Sequence, residues 1–205
     1  GESLPIPPTL LISAVGVIPD ASRTTTPDFK AAGSLIYILG ETLNELGGSE
    51  YFRRHQGLGR EVPKVDASRG RRTMVAVGTA IRQGMVTACH DLSDGGMGIA
   101  LAEMCFSAAI GARIDLRKVP GSRRFKRDDF LLFSESNSRF LCEVPAWKRS
   151  AFESLTAGLR VPCRAIGRTV KNPELLIEGL RGDVVVRLSL SEAETAWRRA
   201  LTRRL

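Results

Sequence analysis

The sequence predicts a mixed α/β fold of the α+β kind, in which helices cover one mixed β-sheet. Short β-rich apolar stretches are interleaved irregularly with stretches of helical periodicity, a pattern that does not fit a strict β-α-β repeat. The 205 residues are 43% apolar and 25% charged, as is ordinary for a globular domain with its own core. No apolar run approaches the roughly 20 residues of a membrane-spanning helix, so no membrane association is expected.

The first quarter of the chain divides into a lead-in, two strands and a loop. Residues 1–8 are rich in proline and predict a linker or the end of an upstream domain, so that the domain itself occupies residues 9–205. Residues 9–18 are β-rich and apolar, which predicts a buried strand. A loop over 19–32 then leads to a second strand over 34–39.

The middle of the chain predicts three helices and the strands between them. Ser49 follows two glycines and is a candidate N-cap for a short helix, and after a loop over 57–66 Ser68 is expected to cap a longer one. The apolar face predicted for that longer helix carries Met74, Val75, Gly78, Ile81 and Met85. The clearest helix has an apolar stripe formed by Met97, Ala100, Leu101, Met104, Cys105 and Ala108.

The remaining elements follow from the same two periodicities. Strands are predicted over 85–89, 112–116, 138–144, 163–169, 175–177 and 183–188, and helices over 125–133 and 146–157. A capping box formed by Ser191 and Glu194 is expected to begin the last helix.

The cysteine content and the charge of the chain limit the functions that we expect for it. The four cysteines form no C-x-x-C pair and the chain has two histidines, so we expect buried free thiols in the cytoplasm and no zinc site. The net charge of +8 comes mostly from arginines that are scattered, without interleaved aromatic residues. A solvated basic surface is therefore favoured over a nucleic-acid interface, and a flat salt dependence of binding would exclude the latter.

The first candidate site lies at a strand-to-helix junction over residues 90–96. An N-terminal helix turn with unpaired N–H groups and glycines suits a phosphate. The alternative is that Ser93 or Asp94 caps the helix and that the glycines permit close packing. The candidate contacts in this segment are His90, Asp91, Ser93, Asp94, Gly95 and Gly96.

The second candidate site is a run of polar residues over 134–139. Glu135 could hold a ribose hydroxyl or an amine, and Arg139 a phosphate or a carboxylate. The alternative is a polar turn whose members satisfy one another. The candidate contacts are Glu135, Ser136, Asn137 and Arg139, whereas the glycine turn over 46–51 is a weaker signal.

Eight short segments in a fixed order resemble one enzyme family, the phosphoribosylformylglycinamidine synthases, from about Pro5 to Trp197. The segments are 6–9, 16–18, 40–42, 45–51, 62–66, 89–96, 100–104 and 133–140. The resemblance is to the second C-terminal domain of the synthetase subunit, and it implies an AIR synthase C-terminal domain-like fold. The wider superfamily includes selenophosphate synthetase, thiamine-monophosphate kinase and a hydrogenase maturation factor.

The resemblance implies an ATP-dependent reaction of purine biosynthesis. Formylglycinamide ribonucleotide, ATP and glutamine-derived ammonia give the amidine, ADP and phosphate. ATP activates the amide oxygen as a phosphate ester, and ammonia displaces it. In this family the catalytic histidine, the Mg²⁺ carboxylates and the ATP lysine lie in N-terminal domains that this sequence lacks, so no catalytic or metal-binding residue is assigned here.

The resemblance also implies the partners of the chain. ATP and Mg²⁺ belong to the complete enzyme, the N-terminal ATP-binding domains and a glutaminase component are the expected partners, and an isolated domain could form a homodimer. We expect the chain to shape a nucleotide cleft and to be inactive alone. A stand-alone module that binds a phosphorylated metabolite is the alternative.

Overall fold

Seven strands in the described part of the chain form one mixed sheet. The computed structural model describes residues 11–202, with side chains through Arg199. The strands are β1 (Leu35–Leu39), β2 (Ala88–Asp91), β3 (Gly111–Asp115), β4 (Phe140–Val144), β5 (Cys163–Val170), β6 (Glu174–Glu178) and β7 (Val184–Ser189). Their order is β2-β4-β1-β5-β3-β6-β7, and every neighbouring pair is antiparallel except β3 and β6.

Helices cover both faces of this sheet. They are α1 (Glu50–Arg54), α2 (Ala67–Arg82), α3 (Gly96–Phe106), α4 (Asp128–Phe133), α5 (Arg149–Gly158) and α6 (Leu190–Thr202). Side chains alternate between the faces of a strand, so Ile36 and Ile38 of β1 join the core beneath α3, α4 and α6. Tyr37 and Leu39 point the other way, into a second core beneath α2 and α5. A mixed sheet covered by helices was predicted, and the structure confirms it.

The apolar stripe of α3 and the cap of α1 are also confirmed. Met97, Leu101 and Met104 are fully buried, because α3 packs its apolar face on the first core. Ser49 accepts a hydrogen bond from the Phe52 N–H at 3.2 Å and caps α1 as predicted.

The buried strand predicted over residues 9–18 is wrong for residues 11–18. These residues have no regular secondary structure and are exposed; Val15, for example, is 97% exposed. Among the described residues this segment pairs with none of the seven strands, although its composition is apolar. Residues 1–10, which include the predicted linker, lie outside the described residues.

The buried face of α2 also differs from the prediction. Asp66, and not Ser68, caps α2 by accepting from the Arg69 N–H. The buried positions are Gly70, Thr73, Ala76, Val77 and Ala80, whereas Met74 is 59% exposed. Ile81 and Met85 of the predicted face do pack against the second core, whereas Met74 and Val75 lie on the outer face. Small buried residues let this helix approach the sheet closely.

Boundaries shift at several other elements. The strand predicted over 85–89 lies at Ala88–Asp91, and the helix predicted over 125–133 is reduced to Asp128–Phe133. The last helix begins at Leu190, where Ser189 accepts from the Glu192 N–H, so the capping box at Ser191 is wrong.

Candidate functional site

The structure brings the two predicted candidate segments together and adds a third. Gly95 and Glu135 are joined by a hydrogen bond from the Gly95 N–H to the Glu135 Oε1 at 2.8 Å. The same oxygen accepts from the N–H of Glu50, at 3.1 Å, so the glycine turn before α1 belongs to this cluster. We call this meeting point of residues 46–51, 90–96 and 134–139 the three-segment junction.

The Glu135 carboxylate occupies the position at which we predicted a phosphate. Gly95 immediately precedes α3 and Glu50 is the first residue of α1, so one carboxylate oxygen accepts from the N-terminal amides of two helices. Negative charge at these ends is favourable because of the helix dipole. The Gly96 N–H is also engaged, with the Ser93 carbonyl at 3.0 Å. In this conformation the Glu135 carboxylate itself occupies the place of an external anion.

The two glycines allow the turn to pack against the second segment. Gly95 and Gly96 have φ of 77° and 61°, in the left-handed region that favours glycine. A Cβ atom at Gly96 would clash with the Ser134 carbonyl oxygen and lie 2.9 Å from the Leu132 carbonyl oxygen. Gly96 therefore allows close packing between the turn and the end of α4, and at Gly95 a Cβ atom would clash with the Ile99 side chain of α3.

The side chains of residues 90–94 lie around this turn. His90 is within 3.2 Å of Asp91 through Nδ1 and within 3.0 Å of Glu103 through Nε2. Ser93 and Asp94 are exposed, and α3 has Gly95 at its N-cap with no side-chain cap. The predicted cap by Ser93 or Asp94 is therefore wrong.

Arg139 is buried within the protein. It is 1% exposed and donates to the Ser136 carbonyl at 2.9 Å, to the Thr42 Oγ1 at 3.1 Å and to the Ser134 carbonyl at 2.5 Å. Burial lowers the pKa of its guanidinium to about 10, and the nearby carboxylates Glu45 and Glu135 oppose that shift. A guanidinium with these partners holds the 134–139 turn and does not face a ligand in solvent.

The serines of this turn bind the loop before α1. The Ser134 hydroxyl donates to the Leu43 carbonyl at 2.6 Å, and the Ser136 hydroxyl accepts from the Leu43 N–H at 3.0 Å. Asn137, in contrast, is exposed. The polar groups of this turn thus satisfy one another's hydrogen bonds and those of the neighbouring backbone, as the polar-turn interpretation expects. The residues involved are Ser134, Glu135, Ser136 and Arg139.

Glu45, directly before the first segment of the junction, is a buried acidic residue that was not among the predicted site residues. It is 6% exposed; its Oε1 accepts from the Lys64 N–H at 3.1 Å, and its Oε2 has no hydrogen-bond partner among the described residues. Glu45 lines a cavity of about 20 Å³, together with Ser136 and Asn137. That volume admits about one water molecule. Glu45 is the first residue of the 45–51 segment that resembles the enzyme family, and this position is the sequence signal that could have identified it.

A separate, larger cleft carries a surplus of positive charge. It measures about 1200 Å³, and its lining includes Val119 and Val161. Its charged lining residues are Arg117, Lys118, Arg123, Arg124, Arg149, Arg164 and Glu153. We call this the cationic cleft. These arginines are scattered along the sequence and converge only through the fold.

Two of the six basic residues of the cationic cleft have no ion-pair partner among residues 11–199. Arg117, Lys118, Arg124 and Arg149 each lie within 4 Å of a carboxylate. Arg123 and Arg164 are exposed and do not. The cleft therefore offers about two uncompensated positive charges to an anion.

Within the described residues, no group of three or more histidine, cysteine, aspartate or glutamate side chains is placed to hold a metal ion. None of the helices described is long and apolar enough to cross a bilayer.

Comparison with protein families gives one matching domain. The family model described as "AIR synthase related protein, C-terminal domain" matches residues 31–178. The match includes both candidate segments and most of the sheet.

Curated relatives are similar over nearly the whole chain. Phosphoribosylformylglycinamidine synthase subunit PurL of Alkaliphilus metalliredigens is 36% identical over 197 residues, which are 96% of this chain and 26% of that protein. PurL of Moorella thermoacetica is 35% identical over 98% of this chain and 26% of that protein. The chain therefore spans about a quarter of the length of these relatives.

Solved structures share the fold at low sequence identity. PurL of Thermotoga maritima, complexed with FGAR, has a TM-score of 0.75 at 18% identity, over 84% of this chain and 30% of that chain. The E. coli hydrogenase maturation protein HypE has a TM-score of 0.59 at 19% identity, over 81% of this chain and 52% of that chain.

Proposed function

Because this chain belongs to the family of AIR synthase related protein C-terminal domains, we propose that it works as one domain of a phosphoribosylformylglycinamidine synthase. The similarity to PurL over 96% of the chain carries this proposal. In it, the domain packs against ATP-binding domains in the cytoplasm and helps to shape their nucleotide cleft. ATP and Mg²⁺ belong to the complete enzyme, and the glutaminase component supplies ammonia.

The three-segment junction supports a structural contribution of this domain to that enzyme. The Glu135 carboxylate already accepts from two helix N-termini, and the Arg139 guanidinium is buried among backbone carbonyls. Activation of an amide oxygen by ATP needs groups that bind and orient the transferred phosphoryl group. Since the polar groups of the junction serve the fold of the chain itself, the domain should not carry out this step alone.

Exposed apolar residues on two surfaces support packing against other domains. Residues 11–18 expose Leu11, Val15 and Val17, and the outer face of α2 with the preceding loop exposes Val65 and Met74. Clustered apolar exposure of this kind is typical of surfaces that a partner covers. We assign residues 11–18 to contact with an ATP-binding domain.

Complementation in trans tests the proposal. A PurL relative that lacks its last quarter is assayed for phosphate release with formylglycinamide ribonucleotide, ATP and ammonia, with and without this chain. We expect activity only in the mixture, and no turnover above background by this chain alone. Turnover by this chain alone would refute the proposed division of labour.

The cationic cleft favours a second candidate function, a module that binds a phosphorylated metabolite. The groups first predicted for such binding are unsuitable, because Arg139 is buried and the turn at Gly95 is filled by Glu135. Arg123 and Arg164, by contrast, are exposed and have no carboxylate partner among the described residues. Two guanidinium groups suit the two charges of a phosphate monoester.

Calorimetry with pyrophosphate, ADP and formylglycinamide ribonucleotide tests this second function. We expect Arg123→Ala with Arg164→Ala to weaken binding at least tenfold, about 1.4 kcal/mol. The matched control is Lys171→Ala with Arg181→Ala, which removes two exposed charges outside the cleft. An equal loss in the control pair would show a net-charge effect, and an absence of heat at millimolar ligand would exclude the function.

A further inference from the structure

Two cysteines of the chain face each other across neighbouring strands. Cys89 of β2 is the direct partner of Cys142 of β4 in the antiparallel ladder. The Cys142 Sγ lies 3.7 Å from the Cys89 Sγ, and both thiols are free. Neither residue takes part in the candidate sites described above.

The hydrogen-bond pattern places this pair at a position that suits a disulfide. The Cys89 N–H donates to the Thr26 carbonyl at 3.2 Å, away from β4, whereas the Leu92 N–H donates to the Arg139 carbonyl at 3.0 Å. Hydrogen-bonded and non-hydrogen-bonded pairs alternate along an antiparallel ladder, so Cys89 and Cys142 form a non-hydrogen-bonded pair. Cα atoms in such pairs are about 4.5 Å apart, within the range that a disulfide spans.

The two thiols differ in accessibility and acidity. Cys89 is half-buried and Cys142 is fully buried. The hydrogen bond donated by the Cys142 thiol lowers the pKa of Cys89. The same interaction, together with burial, raises the pKa of Cys142. Cys89 is thus the thiol that a small oxidant reaches, and it is also the thiol that ionises first.

We propose that Cys89 and Cys142 are a redox modification site at which a peroxide closes an intrachain disulfide. The Cys89 thiolate attacks hydrogen peroxide, an S–O bond forms as the O–O bond breaks, and hydroxide leaves with Cys89 as a sulfenic acid. The Cys142 sulfur then attacks the Cys89 sulfur, the S–O bond breaks, and water leaves. In total, two thiols and one peroxide give one disulfide and two waters.

The bond would tie β2 to β4 directly before the three-segment junction. Cys89 is followed at once by His90, which contacts Glu103 of α3. The disulfide therefore fixes the strand from which the 90–96 turn begins. Its formation depends on the contacts of the isolated chain and is independent of the proposed function.

Mass spectrometry of the folded chain after peroxide treatment tests the proposal. We expect the mass to fall by two hydrogen atoms, with recovery on reduction, and a cross-link between the tryptic peptides of residues 83–113 and 140–148. The first peptide contains both Cys89 and Cys105, so variants must assign the bond.

Serine variants supply that assignment and the controls. Cys105→Ser and Cys163→Ser should keep the cross-link, since burial raises the pKa of each of these thiols to about 12. Cys89→Ser should lose it, and Cys142→Ser should stop at a Cys89 sulfenic acid that dimedone traps. The proposal is overturned if Cys105→Ser abolishes the cross-link. It is equally overturned if the folded wild-type chain gains oxygen atoms without cross-linking, or if its thiols stay reduced while the unfolded chain is oxidised.

Discussion

Single residues of the three-segment junction explain why its polar character serves the fold. Glu135 and Arg139 both looked like ligand contacts in the sequence, and each proves to have partners within the chain. Arg139 donates to backbone carbonyls from a buried position, and Glu135 joins two helices that are far apart in sequence. Losing either side chain would leave buried or helix-terminal groups unsatisfied.

Replacing Glu135 separates its acceptor function from its charge. Glu135→Gln keeps an oxygen for the amides of Gly95 and Glu50 and loses the charge, so we expect it to cost about 1 kcal/mol of unfolding free energy. Glu135→Ala also loses the acceptor and should cost about 2 to 3 kcal/mol. Urea denaturation measures both, and Glu61→Ala, in an exposed pair with Lys64, is the control expected within about 0.5 kcal/mol. Equal losses in the glutamine and alanine variants would contradict this account.

Asp115 should give the protein a small acid-sensitive contribution to stability. Hydrogen bonding to Arg117 holds the pKa of Asp115 below its ordinary 3.8. A lowered folded-state pKa stabilises the fold above the unfolded-state pKa, and this stabilisation is lost as the pH falls through the folded-state value. Asp115→Asn should therefore cost about 0.5 kcal/mol at pH 7, and the difference from wild type should close below pH 3.8. Urea denaturation at several pH values measures the gap, and a gap independent of pH would contradict the assignment.

At the scale of elements, the β2–α3 turn is a tightly constrained connection. Both of its glycines adopt positive φ, and Gly96 faces the end of α4 at close range. We expect Gly96→Ala to cost at least about 2 kcal/mol, because it adds strain and a steric clash. The control is Gly158→Ala at the end of α5, where a Cβ meets no atom within 4 Å and which should be neutral or slightly stabilising. Thermal unfolding of the two variants checks this, and similar midpoints would count against the packing role of the turn.

The elements differ in how much of their packing the sequence predicts. The stripe of α3 is predictable because its residues are large, apolar and regularly spaced. The buried face of α2 is not predictable in this way. Its residues Gly70, Thr73 and Ala76 are small, so they allow close approach to the sheet but add little to the hydrophobic periodicity. Likewise Glu135 binds amides 40 and 85 positions away, and the thiols of Cys89 and Cys142 meet across 53 positions. Local periodicity contains no information on such contacts.

At the scale of the whole molecule, residues 11–18 are the segment that the proposed function assigns to contact with an ATP-binding domain. Val15 and Val17 are more than 90% exposed, so Val15→Asp with Val17→Asp should leave the thermal midpoint of the isolated chain unchanged. The same pair should weaken association with the ATP-binding domains of a PurL relative at least tenfold, because it places charges in an apolar contact. Sedimentation velocity measures this, with Val184→Asp on the exposed edge strand β7 as the control. If the double variant associates as tightly as the wild type, residues 11–18 do not form the interface.

The pairing of β1 has a consequence for how this chain is made. Its partners are β4 and β5, with Leu39 opposite Phe140 and Cys163. On the ribosome, β1, the most apolar strand of the sheet, is synthesised about a hundred residues before either β4 or β5. Both of its edges therefore stay unpaired during that part of translation. Nascent chains should therefore depend on chaperone binding around residues 35–39, and fragments that end before β4 should aggregate.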